Sequence, residues 1–140
     1  MLFAYMTSDE TNQDNALQMA DDCDIVLCSL PPEKVVGNSD WDAVVYDWDY
    51  LPRRRQEELL RELLSGRHDA PVAVHGYNID DEHVAGLRRR HVAVFRTFQP
   101  EILWLLQLLA ARATSEAPLL QDEAKATHRN RASSVSRTST

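Results

Sequence analysis

At 140 residues the chain has room for one domain, and that length can bury a core without disulfide or metal staples. A hydrophobic content of 44% against 26% charged residues excludes both a disordered chain and a membrane bundle. The net charge of −7 is uneven: residues 1–110 carry 10 basic and 19 acidic side chains, a net of −9, which excludes a broad basic face for nucleic acid.

In chain order, residues 2–6 form a short apolar run of strand length, followed by the polar Thr7-Ser8-Asp9-Glu10. Between 11 and 22, Ala16, Leu17, Met19 and Ala20 recur at helical spacing and predict an amphipathic helix. A second strand is expected over 24–28 and is stopped by Pro31-Pro32; a short helix or turn over 33–36 ends at Gly37-Asn38. Residues 43–46 predict a third strand that runs into Asp47. Pro52 suits the first turn of the next helix, where a missing N–H costs nothing. That helix carries Leu59, Leu60, Leu63 and Leu64 on one side and stops at Gly66.

A fourth strand is expected over 71–74. The acidic run Asp80-Asp81-Glu82 then suits the start of a helix whose far end carries Arg88-Arg89-Arg90. Residues 92–95 predict a fifth strand, and Pro100 opens a last helix to about Ala111. The strands are continuous apolar runs, as a parallel sheet covered on both faces requires. The expected fold class is therefore α/β: a single domain with a five-stranded parallel doubly wound sheet, flavodoxin-like, in a (βα)5 order. Its ligand sites belong at the carboxyl ends of the strands. The domain is expected over residues 1–112, with a disordered polar tail over 113–140.

Cys23 and Cys28, five apart, match neither a metal knuckle nor a CxxC motif, and Cys28 reads as a small core residue. Arg53-Arg54-Arg55 and Arg88-Arg89-Arg90 read as solvated helix ends. No lysine or arginine precedes Lys34, so the positive flank of a signal peptide is missing, and no apolar run is long enough to span a bilayer. A cytoplasmic protein with no membrane or nucleic-acid partner is expected. With four glycines there is no GxGxxG or P-loop, and no nucleotide cofactor is expected.

The segment Asp42-Ala43-Val44-Val45-Tyr46-Asp47-Trp48-Asp49-Tyr50-Leu51-Pro52 resembles the third strand of bacterial two-component receiver domains, which ends in the phosphoacceptor aspartate with a proline shortly after. Pro71-Val72-Ala73-Val74-His75-Gly76 is similar to the fourth strand, and Val94-Phe95-Arg96-Thr97-Phe98 to the fifth. The resemblance covers residues 2–110. It implies Asp47 as phosphoacceptor, Asp49, Gly76 and Arg96 as phosphate-site neighbours, and Asp9, Asp47 and Asp49 as carboxylates for Mg²⁺.

The departures point to an atypical, pseudo-receiver-like domain. The resemblance calls for an acidic pair, a hydroxyl and a lysine at the places where this chain has Met6-Thr7, Gly76 and Arg96. A hard dication wants several oxygen ligands, and phosphoryl transfer needs that cation. The primary expectation is thus a signalling or protein-interaction module that is not an enzyme, holds no cofactor and transfers phosphate poorly. Asp47 would then be a solvent-facing carboxylate paired with Arg96. Two alternatives stay open: a phosphoaccepting receiver using Asp47 with Mg²⁺ and non-standard helpers, or a small flavodoxin-like enzyme or ligand-binding protein using His75 and Asp47. The last predicts a pocket walled by Trp48 and Tyr77.

The final helix suggests an interface. Ile102, Leu105, Leu106 and Leu109 make a stripe that can cover the sheet, leaving Trp104 and Leu108 on the other side for a protein partner or a second copy.

Overall fold

The computed structural model describes residues 1–33, 40–66, 68 and 70–125, with residues 114–125 as backbone only. Five strands form one sheet: β1 (Leu2–Met6), β2 (Val26–Leu30), β3 (Ala43–Asp47), β4 (Val72–His75) and β5 (Ala93–Phe95). They lie in the order β2-β1-β3-β4-β5, and every neighbouring pair is parallel. The helices among the described residues are α1 (Glu10–Asp22), α2 (Arg53–Leu64), α3 (Asp81–Arg89) and α4 (Pro100–Lys125), with a 3-10 turn at Trp48–Tyr50. The doubly wound parallel sheet expected from the sequence is present. The short helix or turn expected at 33–36 lies largely outside the described residues.

Side chains alternate across the strands with period two, so each strand feeds two cores. Phe3, Tyr5, Ala43, Val45 and Ala73 join Ala16 and Ala20 of α1 and Ile102, Leu103 and Leu106 of α4 on one face. Ala4, Met6, Val44, Tyr46, Val72 and Val74 join Leu59 and Leu63 of α2 and Val84 and Leu87 of α3 on the other. The inner stripe of α4 is therefore Ile102–Leu103–Leu106. Leu105, expected in that stripe, is only half-buried, because it sits at the edge of the face.

Several boundaries move for local reasons. β2 starts two residues later than expected: Asp24 adopts a left-handed φ of 58° and the Ile25 amide donates to Ala20 O (2.9 Å), so 23–25 still close α1. Cys28, expected in the core, is half-exposed on this edge strand. Gly66 ends α2 at a φ of 73°, as the sequence requires. Arg55 is not solvated like Arg54: it stands four and eight residues before Leu59 and Leu63 and shares their buried face, with Nη1 at 3.8 Å from Glu58 and 3.6 Å from Glu62.

The sheet and its helices make up a compact unit of Met1–Leu108, and the rest of α4 falls in a second unit. The expected helix end near Ala111 is corrected: the backbone is helical to Lys125, within the stretch expected as a tail from residue 113. The helix runs through Pro118, which lacks the amide for an intrahelical bond, with Ala, Glu, Leu and Gln around it as helix formers. The remainder of the expected tail lies outside the described residues. Among the described residues no helix is long and apolar enough to cross a membrane.

Candidate functional site

The period-two alternation that builds the cores also builds the site. Tyr5 and Thr7 on or just beyond β1, Asp47 at the end of β3 and His75 at the end of β4 all project to the α1/α4 side of the sheet. Asp47 and His75 are register partners. Thr7, Asp47 and His75 are buried, with Asp47 only 1% exposed.

Asp47 is held by neutral donors. The Thr7 hydroxyl donates to Oδ2 (2.7 Å), and so does the Asn12 side-chain amide (2.8 Å). Asn12 reaches it because Asp9 caps α1: the Asp9 carboxylate accepts the Asn12 backbone N–H (2.9 Å), which fixes the first turn over the strand ends. On its other side Oδ1 faces His75 Nε2 at 3.8 Å. That nitrogen is 2.7 Å from the Tyr5 hydroxyl, and Phe98 packs edge-on against the His75 ring at 5.5 Å. Burial lowers the His75 pKa from its ordinary value, with Asp47 and then Asp49 pulling weakly the other way. Burial first, then the charges of Asp47 and Asp9, pushes the Tyr5 phenol well above its usual range. A neutral histidine against a protonated tyrosine is the resulting state. His75 thus shares a hydrogen bond with Tyr5 at the floor of the site.

Asp49 and Arg96 do different work from that expected. Asp49 accepts the backbone N–H of Tyr77 (2.8 Å) and of Asn78 (3.0 Å), pinning the loop after β4 to the 3-10 turn after β3. Arg96 donates to Ile79 O (2.7 Å) and pairs with Asp81 at 2.6 Å. The expected Asp47–Arg96 pair is corrected: Asp47 is buried rather than solvent-facing, and the guanidinium is drawn to the open start of α3. Gly76 accepts no side chain, because a Cβ there would stand 2.8 Å from Trp48 Cβ and 3.2 Å from Asp49 Oδ1. A hydroxyl at that position has no room.

Of the carboxylates expected for Mg²⁺, Asp9 is engaged as a helix cap and Asp49 as a loop clamp, and only Asp47 stands at the floor of the cleft. Among the described residues no three His, Cys, Asp or Glu side chains group at metal-binding distances. Three oxygen ligands for a hard cation are not assembled by these residues.

An open pocket of about 460 Å³ lies over the strand ends. Asn12, Asp47 and His75 form its base, and Tyr50, Tyr77 and Phe98 line its walls. Trp48, expected as a wall with Tyr77, is buried in the α2/α3 core instead, with its ring 6.5 Å from that of His83. Thr7, Asn12, Tyr5, Tyr50 and Phe98 were not foreseen as site residues. Period two along β1 could have flagged Tyr5 and Thr7. The capping Asp9 with an asparagine three residues on could have flagged Asn12.

On α4, Trp104 is 55% exposed and Leu108 57%, while Gln107 between them donates to Cys23 O (3.1 Å). The apolar pair expected as an interface is thus on the outer surface.

No family model matches the chain, and no curated protein matches it. Solved structures share its fold. A response regulator receiver protein from Pseudoalteromonas atlantica is 12% identical with a TM-score of 0.60, over 81% of this chain and 99% of the other. The BeF3-activated N-terminal receiver domain of Klebsiella pneumoniae RstA is 19% identical with a TM-score of 0.59, over 79% and 98%. The Vibrio cholerae chemotaxis protein CheY4 is 12% identical with a TM-score of 0.57, over 77% and 97%. At these identities the likeness is one of fold, and the domain is receiver-like in architecture.

Proposed function

We propose that this receiver-like domain is a signalling and protein-interaction module that does not carry efficient phosphotransfer. One observation carries the reading: the strand-end carboxylate Asp47 is held on Oδ2 by Thr7 and Asn12, two neutral donors. Phosphoryl transfer to a carboxylate needs a metal to neutralise the transferring group and a donor to receive its oxygens. Here the neighbouring carboxylates are engaged elsewhere, Gly76 has no room for a hydroxyl, and Arg96 is turned toward Asp81.

The phosphoaccepting reading is favoured by a different observation, that Asp47 borders an open pocket. Titration with Mg²⁺ and beryllofluoride, followed by tryptophan fluorescence against an Asp47→Asn control, separates the two. No saturable change is expected. A change that the Asp47→Asn variant loses would make Asp47 a live acceptor and end the first reading.

The exposed Trp104 and Leu108 support a protein contact through α4, with a partner or a second copy. Sedimentation velocity of the wild type against Trp104→Ser tests the second copy. Self-association that the variant loses is the supporting result.

A further inference from the structure

Asp47 is a buried carboxylate that no lysine or arginine pairs with among the described residues. Burying an anion without a counter-ion is costly, and two neutral hydrogen bonds to a single oxygen offset only part of that cost. Oδ1 faces His75 Nε2 at 3.8 Å, beyond hydrogen-bond length. Arg96, the cationic side chain that borders the pocket, points to Ile79 O and Asp81. Asp49 adds a second negative charge at the rim, and Asp9 lies close enough to Tyr50 for its charge to act on the phenol. The pocket therefore sets two carboxylates, Asp47 and Asp49, against one guanidinium that is already paired with Asp81.

Its walls suit an organic cation better than a metal. Tyr77 is 71% exposed and Tyr50 44% exposed, and both line the opening. Aromatic faces attract cations, and a planar guanidinium stacks on them while its N–H groups reach a carboxylate. A volume of about 460 Å³ admits a guanidinium with its methylene stem. A hard dication would find two carboxylates, Asp47 and Asp49, both already accepting hydrogen bonds, where it wants several free oxygens.

The geometry points to a binding site for a guanidinium group, seated between Tyr50 and Tyr77 and donating to Oδ1 of Asp47. This rests on the reading that Asp47 is not a phosphoacceptor. The same chemistry is offered by an arginine side chain of a partner protein and by a free guanidino compound.

The test is a titration of the ¹⁵N-labelled full chain with N-acetyl-arginine methylamide and with a short peptide bearing one arginine between serines. The citrulline counterpart of each, equal in shape and uncharged, is the control. Saturable shifts are expected at the amides of Gly76, Tyr77 and Asn78 with the arginine compounds and not with citrulline. Tyr77→Ala, at an exposed position that leaves the fold intact, and Asp47→Asn should each weaken binding about tenfold. Tighter binding of the peptide than of the amide supports a partner side chain as the source; equal binding supports a small molecule. Silent amides, equal shifts with citrulline, or binding unchanged by Tyr77→Ala would overturn the assignment. A beryllofluoride response would remove both this inference and the reading beneath it. Silence toward beryllofluoride and arginine together would remove this inference alone.

Discussion

The Tyr5 hydroxyl lies 2.7 Å from Nε2 of His75 beneath Asp47, although β3 runs between the strands that carry them. The phenol is long enough to reach across one strand, and the shared face lets it. Phe98 packs on both rings, its centroid 5.0 Å from that of Tyr5 and 5.5 Å from that of His75.

The pair has a consequence for pH. The unfolded His75 titrates near 6.5, and burial places its folded pKa lower. Between the two values the unfolded chain holds a proton that the folded chain lacks, so stability falls as the pH drops through that window. On acidification from about pH 7.5 to about pH 5, the wild type should lose more stability in urea than His75→Gln does. Equal slopes for the two proteins would show that His75 does not contribute.

Removing a donor to Asp47 leaves a buried carboxylate short of a hydrogen bond. Thr7→Val should cost ~1.5–3 kcal/mol, and Asn12→Ala, at a half-exposed position, about 1.5 kcal/mol. Because both donors serve the same oxygen, the double variant should depart from additivity. Urea unfolding checks all three, and Thr7→Ser, which keeps the hydroxyl, should recover most of the loss.

Restoring a hydroxyl after β4 should harm the protein instead of activating it. In Gly76→Ser the new Cβ stands 2.8 Å from Trp48 Cβ, and overpacking of this kind costs ~1–3 kcal/mol. The denaturation midpoint should fall and the beryllofluoride titration should stay silent. A stable Gly76→Ser protein would mean that the 3-10 turn moves readily.

The two sides of α4 should respond unequally to truncation. Leu106→Ala, fully buried, should cost ~2–5 kcal/mol, while Leu108→Ala at 57% exposure should stay within about 0.5 kcal/mol. Thermal unfolding of the two variants against the wild type measures the difference.

Much of the fold is legible in the residues. The apolar runs ending at Met6, Asp47 and His75 fix strands, and the leucines of α2 with Gly66 fix a helix and its stop. β2 was misplaced because Asp24 and Ile25 look like strand residues, but their amides complete the end of α1. The end of α4 was missed because Thr114, Ser115 and Pro118 read as a stop and the polar composition suggested a tail, yet the helix runs through them.

The site divides along a different line. By itself the sequence determined that a carboxylate stands at the end of β3 with a histidine at the end of β4, since strand length and period two are local properties. Which groups those side chains meet was decided only by tertiary structure. Asp47 takes Thr7 and Asn12 rather than Arg96, since the capped α1 lays its first turn over the strand ends. Arg96 turns to the carbonyl of Ile79 and to Asp81 at the start of α3. Trp48 leaves the pocket for the core because the 3-10 turn folds it onto Gly76. Hydrogen-bond and ion-pair partners are chosen by distance in space, and residues 35 and 40 positions apart in the chain carry no local mark of that choice.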